Sequence, residues 1–109
     1  MPEDVRDDTV TFVNRFTVHA SPEEFERVFA ETSEFMAQQD GFLRHTLLRH
    51  TDDERSYVNI AQWRDAGAFR RAVAAPDFQP HAAALRALST SEPNLYTPRR
   101  TVSAKTGAR

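Results

Sequence analysis

The chain lacks cysteine, and neither sign of charge dominates its composition. With no cysteine among 109 residues, disulfides, thiolate metal ligands, iron–sulfur clusters and a cysteine nucleophile are excluded, which removes several classes of enzyme. The 14 basic and 16 acidic residues give a formal net charge of −2, so there is no basic stripe of the kind that nucleic-acid binding requires. We therefore expect no nucleic-acid partner.

Long hydrophobic runs are also missing. No apolar segment approaches the length of a bilayer span. The N-terminal residues MPEDVRDD are acidic, whereas a secretory signal peptide is basic and then apolar. These features predict a soluble cytoplasmic protein with no membrane partner.

The length fits one compact domain. Eight Phe, two Tyr and one Trp residues supply large apolar side chains for its core. We predict a loose arm over residues 1–8, a single domain over residues 9–102 and a small basic tail over residues 103–109.

The first part of the domain predicts a strand and then a helix. Residues 9–19 are expected to form the strand. Ser21 is a suitable N-cap, with Pro22 at the first helical position and Glu24 at the third, and together they form a capping box. An apolar stripe at spacings of three and four then continues to an Asp-Gly stop signal at residues 40–41.

A hairpin is predicted next, with strands over residues 42–51 and 56–63 joined by a polar connection. Apolar and polar residues do not alternate regularly in the first of these strands. We interpret this irregularity as a sign that both faces of the sheet are covered.

The remaining elements complete a recognisable order. Asp65 can cap a short helix, Pro76 interrupts it, and helical periodicity then resumes. Residues 91–94 are predicted to form a turn, and residues 95–102 a last strand that Pro98 confines to an edge or a bulge. The order β-α-β-β-α-β is the ferredoxin-like arrangement of an α+β protein. Because its helices leave one sheet face bare, we predict a homodimer in which two sheets meet.

Two amides on apolar strand faces are the candidate functional feature. Side chains in a strand alternate with a period of two, so Asn59 and Trp63 share a face. Asn14 lies on the apolar face of the first strand. We interpret the two asparagines as a polar pair in a hydrophobic pocket. A buried asparagine can instead satisfy a neighbouring backbone group, and a lone tryptophan is more often core than catalytic.

Four segments resemble the antibiotic biosynthesis monooxygenase family, and within it the small anthrone oxygenases of aromatic polyketide pathways. They are VTFVNRFTV, GFLRHTLLR, SYVNIAQWRD and FRRAVAAPDFQPHAAALRALSTSE, and the resemblance covers about residues 9–101. It implies a dimeric α+β barrel that binds a flat polycyclic substrate and oxygenates it without metal, flavin or haem. It also implies that Asn14, Asn59 and Trp63 are functional residues.

The chemistry gives these residue types a purpose. Triplet oxygen reacts slowly with closed-shell molecules, so an oxygenase needs a metal, a flavin or an electron-rich substrate. A deprotonated anthrone is such a substrate. We assign Asn14 and Asn59 as hydrogen-bond donors to the anion, and Trp63 as a flat wall with an N–H donor. The residues expected to contact the substrate are Phe12, Phe29, Tyr57, Phe69, His45 and His81.

Several functional interpretations stay open at this point. His45, His50 and His81 are candidate proton acceptors, but no spacing typical of a metal site accompanies any histidine, so no metal site is predicted. Haem degradation by an enzyme of the same fold is one alternative, although such enzymes need a second tryptophan where this chain has Ala72 and an axial histidine about one residue from His81. A non-oxidative polyketide cyclase or a non-catalytic ligand-binding dimer would also fit a polar pair in a hydrophobic cleft.

Overall fold

The computed structural model describes residues 8–105. Within this range an antiparallel sheet of four strands carries three α-helices on one face. The predicted order of elements is confirmed, with the second helical region divided in two. The elements are β1 (Val10–Val18), α1 (Pro22–Ala37), β2 (Phe42–Arg49), β3 (Ser56–Trp63), α2 (Ala66–Ala74), a 3₁₀ turn (Pro76–Phe78), α3 (Gln79–Leu88) and β4 (Ser89–Tyr96).

The predicted arm over residues 1–8 and the tail over residues 103–109 fall largely outside the described residues. The limits of the domain therefore stay a prediction. None of the helices in the described part of the chain has the length and apolar character of a membrane span.

The helix starts are where the capping signals place them. The Ser21 hydroxyl accepts a hydrogen bond from the Glu24 N–H at 3.1 Å, and the Asp65 carboxylate accepts one from the Ala68 N–H at 2.8 Å. Each cap satisfies a backbone donor that the first turn of a helix leaves unpaired. The hydrogen bond from Ala68 also lowers the pKa of Asp65, because it stabilises the ionised carboxylate.

The strand order is β2-β3-β1-β4, so β1 and β3 are central. The irregular alternation in β2 coincides with a β-bulge. Phe42 pairs with Trp63, but the next pair is Arg44 with Gln62, which leaves Leu43 as an extra residue. A β-bulge of this kind reverses the alternation beyond it. The bulge by itself therefore accounts for the irregular pattern.

The last strand was wrongly predicted. Residues 91–94, expected to form a turn, belong to β4, and residues 97–105 carry no regular structure. β4 is an edge strand, where Pro93 is tolerated because only one side of the strand must pair. Apolar and polar residues do not alternate along its mostly polar sequence. The strand is therefore recognisable only from its pairing with β1.

Two hydrophobic clusters divide the core. One gathers Phe16, Phe25 and Phe29 beneath α1, and the other gathers Trp63 and Ala68 at the opposite end of the sheet. Apolar contact is therefore interrupted along β1 and β3, at the level of the asparagines.

Gly41, which precedes β2, provides a test of the local geometry. It has a φ of 89°, and a Cβ there would collide with the Cβ of Ala68. We expect Gly41→Ala to lower the free energy of unfolding by about 2–4 kcal/mol, from backbone strain and overpacking together. Urea denaturation measures this. Gly67→Ala is the matched control, because its Cβ would meet only side-chain ends, Nη1 of Arg71 at 3.3 Å and Oδ1 of Asp65 at 3.5 Å, and it should leave stability equal or raise it by up to about 1 kcal/mol. An equal loss in both variants would contradict the strain at Gly41.

Candidate active site

A cavity of about 460 Å³ lies between the sheet and the helices, a size typical of small-molecule sites. Its walls are mainly apolar, with a few polar groups that converge on the sheet. Its lining includes residues of both hydrophobic clusters, such as Phe16 and Trp63. The predicted site residues that line it are Asn14, Asn59, Trp63, Phe12, Phe29, Phe69 and His45.

The register of the two central strands places the asparagines side by side. Asn14 of β1 is directly opposite Asn59 of β3, and side chains in opposite positions are neighbours on one sheet face. The same row continues to Leu47 on β2 and Pro93 on β4. The amides are therefore an isolated polar pair between apolar neighbours, in the central strands of the sheet.

Two atoms in this region stand out because they are buried without a hydrogen-bond partner. Within residues 8–105 they are Oδ1 of Asn14 and Nε1 of Trp63. Leaving a buried polar group unpaired costs about 1–3 kcal/mol, so native proteins keep few such groups. Both belong to residues that line the cavity, so the unpaired buried groups of the described chain are concentrated at this site.

Asn59 has a protein partner. Its Oδ1 lies 3.0 Å from Nδ1 of His45, within hydrogen-bond distance. With the amide oxygen facing His45, the ring nitrogen is the donor of this hydrogen bond, and the NH₂ group of Asn59 is left for another acceptor. The imidazole packs near the rings of Phe29 and Phe42, with centroid distances of 5.7 and 6.0 Å.

Trp63 forms an aromatic wall. Its side chain is only 1% exposed. Phe42 and Phe69 contact the indole edge to face, at centroid distances of 5.2 and 5.8 Å, and Phe69 in turn packs on Phe12 at 4.7 Å. Because so little of the indole is accessible, its main contribution is the shape and rigidity of the cavity.

Two of the expected substrate contacts need correction, because neither Tyr57 nor His81 lines the cavity. Tyr57 shares the face of Asn59, but it is buried in the cluster beneath α1, and its hydroxyl donates to Glu26 at 2.6 Å. His81 packs on Phe35 at a centroid distance of 5.2 Å. Strand alternation identified the face of Tyr57, but not which part of that face a helix covers.

Arg86 lines the cavity and was missed from the sequence. It is the one permanently charged residue in the lining within the described chain. The signal was present, because Arg86 follows Ala82 by four residues and so lies on the cavity side of α3.

Among the described residues, no three His, Cys, Asp or Glu side chains gather in a way that could hold a metal ion.

Comparison with known proteins identifies a family and a curated relative that are both described as monooxygenases. The profile of a family described as antibiotic biosynthesis monooxygenase matches residues 9–84. The deoxynogalonate monooxygenase of Streptomyces nogalater is 63% identical over 106 residues, covering 94% of this chain and 90% of that protein.

Solved structures agree with the sequence relatives. SnoaB, a cofactor-independent oxygenase from Streptomyces nogalater, is 65% identical with a TM-score of 0.87, and the match covers 89% of this chain and 99% of SnoaB. A conserved protein from Methanosarcina mazei is 16% identical with a TM-score of 0.76, covering 85% of this chain and 95% of that one. The second likeness shows the fold alone.

The position of Tyr57 in the core leads to a prediction about stability. Burial, and then the hydrogen bond to Glu26, raise the pKa of its phenol. Folding therefore favours the neutral phenol, and this stabilisation is present below about pH 10 and is lost as the pH rises through the raised pKa. We expect Tyr57→Phe to lose about 1 kcal/mol at neutral pH and to lack the alkaline loss.

Urea denaturation at pH 7 and between pH 9 and 11 measures both effects. Tyr96→Phe is the control, because Tyr96 is 52% exposed, and its stability should follow the wild type at each pH. A Tyr57→Phe curve parallel to that of the wild type in alkali would contradict the assigned environment.

Proposed function

The chain belongs to the antibiotic biosynthesis monooxygenase family, and from that premise we propose that it is a cofactor-independent oxygenase of antibiotic biosynthesis. Its substrates are a polycyclic polyketide anthrone and molecular oxygen, and its product is the anthraquinone. One observation carries the proposal, namely the Asn14–Asn59 amide pair at the floor of an apolar cavity. Identity of 63% to deoxynogalonate monooxygenase supports it.

The reaction needs no redox group from the protein, because the anthrone supplies the electrons. Loss of one methylene proton gives an enolate, which transfers one electron to oxygen and forms a radical pair. The pair combines into a carbon–oxygen bond, and the resulting peroxide loses its second methylene proton as the O–O bond breaks. One oxygen atom becomes the new carbonyl and the other leaves as water. The protein must stabilise the anion and hold it beside oxygen.

The amide pair matches the first of these tasks. The NH₂ group of Asn59 is oriented by its bond to His45, so it can donate to the oxygen on which enolate charge develops. Asn14 lies opposite and supplies a second amide. One such preorganised donor is typically worth about 10²–10³ in rate.

The walls match the second task. Phe12 and Phe69 are half-buried rings in mutual contact in the cavity wall, and the buried Trp63 packs against Phe69; partly exposed aromatic rings of this kind are suited to stacking on a flat substrate. The name of the Streptomyces nogalater relative denotes a carboxylate substrate. Arg86 is the lining residue with which an acidic substituent on the substrate of this chain would pair.

Oxygen uptake and quinone absorbance during incubation with an anthrone such as dithranol test the proposal. The wild type should consume oxygen well above the buffer rate. Asn59→Ala and Asn14→Ala should each lower turnover by about 10²-fold, as expected for loss of an anion-stabilising donor. Trp63→Phe should have a smaller effect, because it preserves an aromatic wall.

Gln38→Ala is the matched control, because Gln38 is an exposed amide at the C-cap of α1 that does not line the cavity, and its turnover should stay within about two-fold of the wild type. A wild-type rate equal to that of buffer would contradict the oxygenase. Ring closure without oxygen uptake would instead favour the cyclase. Parallel losses of turnover and thermal stability in the asparagine variants would indicate a structural role for the pair.

We also propose that the protein is a homodimer formed through the open face of the sheet. The helices pack on one face, and side chains of the other face are half-buried or exposed although several are apolar, among them Val13, Val58 and Ile60. Leu48 on β2 extends this surface and is 44% exposed. A two-fold partner that presents the same face would bury all four.

Sedimentation at micromolar concentration should give twice the chain mass of 12.4 kDa. Ile60→Lys should shift the protein to monomer, because a charge would then be buried between the two sheets. Ala30→Lys, on the exposed side of α1, is the control and should remain dimeric. A wild type that sediments as a monomer would overturn this proposal.

A further inference from the structure

The hydrogen bond between His45 and Asn59 determines the state of the imidazole. An amide oxygen can only accept a hydrogen bond, so Nδ1 of His45 must carry the hydrogen in the 3.0 Å contact with Oδ1 of Asn59. In the neutral ring the lone pair is then on Nε2. In this tautomer Nε2 of His45 is the nitrogen that can accept a proton.

His45 is also the one suitable proton acceptor in the cavity. The described residues of its lining include no aspartate, glutamate, lysine, tyrosine or second histidine. His81 packs on Phe35 outside the cavity, and the Nδ1 of His50 accepts from the Asp52 N–H in the connection between β2 and β3. A substrate C–H group bound in the cavity therefore meets one side chain with general-base chemistry.

The bulge in β2 is what directs His45 to this place. Phe42 faces the helices, and in a regular strand residues 44 and 46 would share that face. The extra residue, Leu43, moves the alternation by one, so that His45 pairs opposite Ala61 on the cavity side. Bulges commonly re-aim a side chain beside a functional site, and here the bulge is the physical reason that a base lies in the cavity.

We propose that His45 is the catalytic base of the oxygenation, held in position and tautomer by Asn59; the inference rests on the proposed function. A methylene C–H bond of the anthrone breaks, its proton forms a bond to Nε2, and the electron pair delocalises to the ketone oxygen. The imidazolium that results is stabilised by its Nδ1–H bond to Asn59. It returns the proton to the peroxide anion formed with oxygen. The neutral ring then removes the second methylene proton as the O–O bond breaks and hydroxide leaves, and the imidazolium gives that proton to the hydroxide, which forms water and restores the neutral base.

Asn59 links the two charges of this step. Its oxygen accepts from the imidazole, while its NH₂ group is free to donate to the enolate oxygen. Positive charge on the ring and negative charge on the substrate form together, and both are stabilised by one polarisable amide. Asn59 is therefore a positioning residue for the base as well as a donor to the anion.

Deuterium exchange at the anthrone methylene, without oxygen, tests the base separately from the oxidation. We expect the wild type to accelerate incorporation from deuterium oxide over the buffer rate, as followed by mass spectrometry. His45→Ala and His45→Gln should each lower both exchange and aerobic turnover by about 10²-fold or more. Glutamine keeps an N–H donor for Asn59 but is not a base, so it separates positioning from proton transfer. Added imidazole should restore part of the exchange in His45→Ala.

His50→Gln is the matched control, the same substitution at a histidine outside the cavity, and it should exchange and turn over like the wild type. Thermal unfolding verifies that each variant is folded. Exchange by His45→Gln at the wild-type rate would overturn the proposal and leave His45 with positioning alone. A wild type that consumes oxygen but does not accelerate exchange would also overturn it, with the oxygenase intact. A wild type that does neither would count against the proposed function itself.

Discussion

The antiparallel pairing of β1 with β3 is the constraint on which the rest of the site depends. Its register places Asn14 opposite Asn59, so two amides that are 45 positions apart in the chain become neighbours. A slip of one residue would turn every side chain of one strand to the other sheet face. The register is secured by burial, because Val10, Phe16 and Val18 of β1 belong to the core.

That pairing also determines where the core is interrupted. Apolar side chains fill both ends of the helix-covered face, around Phe25 at one end and Trp63 at the other. The amides occupy the interval and cannot complete an apolar cluster. A protein optimised for stability alone would fill this interval with leucine or valine. The cavity and the two buried atoms without partners are thus a stability cost retained beside the place where the substrate is expected to bind.

Much of the fold follows from local signals. Ser21 and Asp65 start helices because their side chains satisfy backbone donors nearby in sequence, and the Pro76 break is equally local. The predictions that failed concern features that depend on how one strand pairs with another. The sequence of β4 resembles a turn followed by a strand until β1 is placed beside it, and the bulge at Leu43 exists only in relation to Trp63 and Gln62.

The candidate site divides along the same line. The sequence by itself determined that Asn14, Asn59 and Trp63 lie on apolar strand faces, because strand alternation is a local property of the backbone. Only the tertiary structure decided that the two amides meet, that His45 faces them and orients Asn59, and that Tyr57 is covered by α1 instead of facing the cavity. The physical reason is that register, a bulge and the covering of a sheet face are relations between segments distant in the chain, and no local pattern encodes them.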